Sequence, residues 1–410
     1  MQYISIAICI LVTSTIQALQ QSIERAALYI QEKKYDSACQ LYTVLAEANP
    51  DNVSIRYNHA YLLKKTGNFS AACNAYEYVL GRQPEHRNAH IGYAQTLLAL
   101  GDFVRGYQEL EWRHYQSSTD IERAKQIITT RDRLDEHIFL LRAEWGIGDT
   151  IQMLRYARLL KQRGATVYLS LLHESLGVLC RMQPYIDTVL LPHDAILPHH
   201  YAIPMISLPY LFATQQETIP FPQEYLVVDA NHINSWKEKM TPQHETFNIG
   251  ICWQGNTIHE QSKFMSLSYF MQLAQIPGVR LFCLQKEHGL AQCATLAKNA
   301  TLYFFDHDFD SAHGAFIDTA AVLHALDLVI TVDTSIAHIG GALGVPTWIV
   351  LPAVADWRWM CSRADSPWYT SVRLFRQQER DNWHTVITEL THMLKTKLLT
   401  QAEKNIHEAL

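Results

Sequence analysis

Asp333, Thr334, Ser335 and His338 follow directly on the apolar, β-branched run Leu328 to Val332. Such a run reads as a strand covered on both faces in a parallel sheet. Thr334 or Ser335 can cap the helix that follows, whose first N–H groups and positive dipole end are suited to a phosphate. Open α/β sheets take their ligands beyond the carboxyl ends of their strands. The plainer reading, in which Asp333 and Thr334 do no more than cap a helix, stands beside this one.

A second turn of the same kind lies at Gly146-Ile147-Gly148-Asp149, after the run ending at Leu141. The two glycines permit a sharp turn, which leaves Asp149 at or just before a helix start. A carboxylate there is either a cap or a general base facing a bound hydroxyl. Ile151 stands where a dinucleotide fingerprint needs its third glycine, so that motif is excluded. Gln152 follows on the same helix. Trp253-Gln254-Gly255-Asn256 is a third small polar turn after an apolar run, and Lys263 in the next loop is either a mobile charge for a diphosphate or a solvated surface residue. The dense Asp356-Trp357-Arg358-Trp359 stretch offers Arg358 to phosphate or carboxylate, or forms a structural Trp–Arg stack.

Other chemistries are weakly represented. Asp306-His307-Asp308-Phe309-Asp310 resembles a metal-binding cluster, but Ser311 and Ile317 occupy the glycine and glutamate places of a calcium loop, so it reads as an acidic loop. No metal site is expected, and the 20 histidines show no ligand spacing. The eight cysteines form no C-x-x-C pair and read as small core residues of a reducing compartment. A formal net charge of −6 leaves no electrostatic footprint for nucleic acid. The apolar run Ile4 to Val12 is too short to span a membrane. It has no Lys or Arg before it and a poor cleavage position after Ala18, which favours a cytoplasmic chain over a periplasmic or secreted one.

The elements that position these residues fall into two classes. Tyr35, Phe69 and Phe103 recur every 34 residues, with Ala38, Ala72 and Gly106 three places later and Gly67 and Gly101 at turns. This is the tetratricopeptide pattern of paired helices, in units of about 19–52, 53–86 and 87–120, and its stacked groove is either a spacer or a seat for a protein or peptide. Beyond 131–136 short apolar strands alternate with helices, the rhythm of βαβ units. The expected division is an N-terminal apolar segment 1–18, repeats 19–130, a first Rossmann-like half 135–240, a second half 245–395 and a polar tail 396–410. A loose Pro-rich passage is expected from Pro192 to Pro222, and a crossing between halves at Ser235 to Thr241.

Taken in order, Gly146 to Gln152, Trp253 to Asn256, Asp318-Thr319-Ala320-Ala321, Asp333-Thr334-Ser335 with His338, and Asp356 to Arg376 resemble repeat proteins carrying a C-terminal family 9, heptosyltransferase-like glycosyltransferase domain. The resemblance implies a GT-B fold of two Rossmann-like halves with a cleft. It implies Asp149 as the base toward an acceptor hydroxyl, and Lys263, Asp333, Thr334, Ser335 and His338 around the donor diphosphate. Gly146, Gly148, Gln152, Trp253, Gly255, Asn256 and Arg358 are the further cleft candidates. It also implies no cofactor and no metal, with a nucleotide-sugar as donor substrate and a protein or glycan as acceptor, for which the repeat groove is a candidate seat. The alternative is an interaction scaffold whose α/β part has lost catalysis. Ser335 in place of a usual glycine and the Lys-Phe-Met-Ser-Leu segment at Lys263 depart from the family pattern.

Overall fold

The computed structural model describes residues 2–114, 119–240, 246–256, 264–296 and 302–409, with the side chains of 2–16, 296 and 401–409 excepted. The chain forms two compact units: Met1–Gln116 with Asp356–Cys361, and Ser117–Ala355 with Ser362–Leu410.

The first unit is a stack of helical pairs: Gln2–Gln31 with Tyr35–Ala48, Val53–Lys65 with Phe69–Arg82, and Arg87–Leu100 with Phe103–Leu110. The small residues of the repeat lie where helices touch. Ala38 and Ala72 are fully buried, and a Cβ on Gly106 would come within 2.7 Å of Leu98 Cγ. Gly67 and Gly101 take φ of 84° and 92°, the left-handed turn that a side chain opposes. Asn52 and Asp102 cap the second helix pair's first helix and the third pair's second, accepting from Ile55 N and Arg105 N. Residues 2–18 are helical and continuous with the first repeat helix. Among the described residues no helix is long and apolar enough to cross a membrane.

The second unit holds two parallel sheets. One has the order β3-β2-β1-β4, built from β1 (Ile138–Arg142), β2 (Thr166–Ser170), β3 (Thr188–Leu190) and β4 (Tyr201–Pro204). The other runs β10-β9-β8-β5-β6-β7, from β5 (Phe247–Cys252), β6 (Val279–Cys283), β7 (Leu302–Tyr303), β8 (Leu328–Val332), β9 (Thr347–Leu351) and β10 (Val372–Arg376). Every residue of β5, β8 and β9 is buried, as expected of strands with helices on both faces. Helical repeats followed by two Rossmann-like α/β halves are therefore the observed architecture.

Several boundaries differ from the sequence expectation. The helix Thr119–Thr130 belongs to the second unit, where Asp120 accepts from Ala202 N at 3.3 Å and Glu122 from Tyr210 Oη at 3.1 Å. The repeat unit thus stops near 116 and not at 130. The Pro-rich passage contains β4, which Pro204 ends because it cannot continue a ladder. Of the expected crossing at Ser235 to Thr241, residues 235–240 form the end of a helix, Ala230–Met240, that buries Trp236 and Met240, and Thr241 lies outside the described residues. The tail begins inside a continuous helix, Trp383–Ala409.

Candidate functional site

In each sheet the strand order reverses at one place, and there two adjacent carboxyl ends lead to opposite faces and leave a crevice. In the six-stranded sheet that place is β5 beside β8, paired in parallel from Ile249↔Leu328 to Cys252↔Thr331. Trp253-Gln254-Gly255 leaves β5 and Asp333-Thr334-Ser335 leaves β8, so sheet topology brings these two sequence candidates together. A Cβ on Gly255 would lie 3.4 Å from Thr334 Cγ2. In the four-stranded sheet β1 lies between β2 and β4, and its carboxyl end leads into Glu144 to Asp149.

The β8 turn is built from inside. Thr331 Oγ1 donates to Val332 O at 2.8 Å, and Thr334 Oγ1 lies 3.1 Å from Thr331 Oγ1 and 3.8 Å from Cys252 Sγ. Thr334 is the N-cap of the helix Ser335–Ala342, yet its side chain makes no cap hydrogen bond. The hydroxyl faces the sheet, Ala337 N donates back to Thr334 O at 3.1 Å, and the positive dipole end of the helix lies beyond the strand end. Asp333, Thr334 and Ser335 are half-buried and His338 is buried. His338 Nδ1 is 2.8 Å from Tyr369 Oη, which fixes the ring.

The β1 turn meets that ring. The helix Ile147–Gln162 starts from Gly146, and Asp149 Oδ2 accepts from Gly146 N at 2.8 Å. Asp149 is therefore the third helical residue, reaching back to the N-cap. This is the capping role that the sequence left open beside the base role. A carboxylate offers about four lone-pair sites, so one cap bond leaves acceptor capacity. A Cβ on Gly148 would fall 2.5 Å from His338 Cδ2 and 3.2 Å from its Nε2. The starts of the two helices are thus in van der Waals contact through glycine and imidazole. Trp145, just before the turn, is exposed and held at φ 58°, a conformation that costs a bulky residue free energy and is concentrated at functional sites.

Residues that the sequence reading passed over hold this arrangement. Gln285 Oε1 accepts from Trp253 N at 3.1 Å and Gln254 N at 3.0 Å, while Gln285 Nε2 donates to Gln254 O at 2.7 Å. It follows β6 by two residues, and its only sequence signal was a polar side chain just past an apolar strand. Arg155, fully buried, donates to Trp368 O at 2.8 Å and Gln152 O at 2.9 Å and lies over the rings of Tyr225 and Tyr369. It joins the helix after β1 to the segment before β10. Gln152 is buried beside it and Trp253 is buried at the end of β5, while Asn256 is exposed.

Two candidates remain. Lys263 lies outside the described residues. Arg358 belongs to the repeat unit, where it pairs with Asp356 at 2.8 Å and lies over the Trp357 ring, itself edge-on to Tyr107. The Trp–Arg stretch is there a structural stack. In the acidic loop, Asp310 is committed to Thr319, accepting from its N at 2.9 Å and its Oγ1 at 2.6 Å.

No protein-family model matches the sequence. The chain is 22% identical over 378 residues to Protein FlbA of Caulobacter vibrioides, a match covering 84% of this chain and 62% of that protein, so it spans less than two thirds of the relative's length. Among solved structures it resembles the glycosyl transferase family 9 protein of Veillonella parvula, with 11% identity, 60% of this chain and 87% of that chain covered and a TM-score of 0.44. It is similar also to the ADP-heptose lps heptosyltransferase II of E. coli, with 12% identity, 64% and 99% of the two chains covered and a TM-score of 0.45.

Proposed function

We propose that the chain transfers a sugar from a nucleotide-sugar donor to a hydroxyl of a protein or glycan acceptor, with inversion. Asp149 takes the proton of the acceptor hydroxyl as its oxygen bonds to the anomeric carbon. The bond from that carbon to the donor phosphate breaks, and the nucleoside diphosphate leaves. Charge developing on the leaving group is met by the helix start at Ser335 and by His338, preorganised dipoles and donors of the kind that supply most of an enzyme's rate. Trp253, Gly255 and Asn256 border the same strand ends, and Lys263 is assigned to the diphosphate. The repeats are assigned to the acceptor, and the site is assigned to the cytoplasmic side.

The observation that carries this reading is the contact of Gly148 with His338, which sets Asp149 and the β8 helix start at one place. The test is release of free nucleotide from a panel of nucleotide-sugars, with and without candidate acceptors, by the full chain. Donor-dependent release that Asp149→Asn abolishes supports the enzyme. The alternative, a repeat scaffold without catalysis, is decided by the same test. Nucleotide binding with no turnover on any donor, and no effect of Asp149→Asn in the cell, would establish that one instead.

A further inference from the structure

Away from the crevice, the helix Ala230–Met240 packs on the helix Ile317–Ala325 through a polar cluster inside an apolar surround. Asp318, 2% exposed, receives the Trp236 indole N–H on Oδ1 at 2.9 Å and the Asp310 backbone N–H on Oδ2 at 2.7 Å. His232 Nε2 is 2.8 Å from Oδ1, and His313 Nδ1 is 3.2 Å from Oδ1 and 3.5 Å from Oδ2. One ligand atom from each of the three residues lies within 4.8 Å of the other two.

The geometry points to a binding site for a first-row divalent cation of the zinc type, held by His232, His313 and Asp318. Metal–ligand bonds of about 2.0–2.2 Å place neighbouring ligand atoms of an octahedral or tetrahedral ion about 2.8–3.6 Å apart. The nitrogen–oxygen separations of 2.8 and 3.2 Å fall within that range, so small rotations seat an ion. Two imidazoles and one carboxylate suit zinc, iron(II), cobalt or nickel and not calcium or magnesium. The carboxylate is oriented from behind by Trp236 and Asp310, the outer-shell support that metal sites use. Trp236 is itself fixed edge-on to the stacked rings of Phe305 and Phe309, and His313, about half exposed, gives the ion a way in.

The ion would join two pieces of chain far apart in sequence: the helix leading into β5, and the 306–316 loop with the helix Ile317–Ala325 that directly follows it. Among the described residues, the hydrogen bonds of His232, His313 and Asp318 involve none of the crevice residues, so the inference stands apart from the proposed reaction.

The test is titration of chelator-treated full-length protein with Co²⁺, followed by displacement with Zn²⁺, alongside metal analysis after dialysis. The expected result is one equivalent of Co²⁺ with ligand-field bands of a nitrogen and oxygen site. His313→Ala, at an exposed position that folding tolerates, abolishes that uptake, whereas His199→Ala leaves it unchanged. Trp236→Phe, which keeps the ring and removes the N–H, weakens binding about 10–100-fold, as loss of an outer-shell partner does. Absence of stoichiometric uptake, uptake that survives His313→Ala, or a thiolate-to-cobalt charge-transfer band would overturn the proposal.

Discussion

His338 Cδ2 and the α-carbon of Gly148 are so close that a methyl group on the glycine would stand 2.5 Å from the ring. Glycine here provides close approach; its φ is not in the left-handed region. Gly148→Ala must push the imidazole away from Tyr369 Oη. Overpacking of this kind costs about 1–3 kcal/mol. Urea denaturation should show that loss, and nucleotide affinity should fall with it. A variant with unchanged stability and affinity would show that the contact has slack.

Asp149 has both a cap bond and a proposed chemical role, and the two separate by substitution. Asp149→Asn keeps an oxygen for Gly146 N, while Asp149→Ala loses the cap at a cost of about 1 kcal/mol. Both remove the base, so turnover should fall by about 10²–10⁴-fold in each. Rates that follow stability, with Asn close to wild type, would leave Asp149 as a cap.

Arg155 carries a charge into the interior, and among the described residues no carboxylate neutralises it. Carbonyl oxygens of Gln152 and Trp368 and the faces of Tyr225 and Tyr369 take that place. Arg155→Met strips buried carbonyls of their donors and is expected to cost about 2–4 kcal/mol. Arg155→Lys should recover little, because an ammonium cannot match the planar fork. The urea midpoints of the two variants check this.

His59 makes the repeats sensitive to acid. Thr43 Oγ1 donates to Cys39 O at 3.0 Å, so His59 Nε2, 3.1 Å from that oxygen, is the donor between them. Nδ1 is then a bare acceptor, buried and without a partner among the described residues. Burial, with Arg56 adding to it, pulls the imidazole below its ordinary 6.5. The unfolded chain therefore protonates first as pH falls, and the stability present above 6.5 is lost between that value and the lower folded one. Thermal midpoints between about pH 5 and 8 should fall on acidification, and His59→Gln should flatten part of that slope.

The parts of this fold legible in the sequence are those set by local pattern. The 34-residue recurrence of Tyr35, Phe69 and Phe103 reads directly because stacking demands the same small and aromatic residues in every unit. The runs Phe247 to Cys252, Leu328 to Val332 and Thr347 to Leu351 read directly because both faces are covered. Trp236 was harder. Its helix carries few apolar residues and looked like a connection, and its role appears only once Asp318 is placed opposite. The same holds for Arg155 and Gln285, whose partners lie far along the chain. Asp149 and His338 were each visible as residues at strand ends, but their proximity depends on how β1 and β8 are packed, which no local spacing encodes.

The Asp356–Cys361 segment leaves the second unit between β9 and β10 and returns to it after six residues, having packed Trp357 against Tyr107 of the repeats. The polypeptide therefore changes units three times, and no single cut separates them. An N-terminal truncation at 117 would strand Trp357 and Trp359, both buried in the whole chain, on an open loop. Such a fragment would carry an adhesive aromatic hook at its surface and tend to self-associate. A clean dissection requires replacing that hook with a short polar turn, and until then losses of activity on deleting the repeats report on damage to the β9–β10 connection as much as on acceptor recruitment.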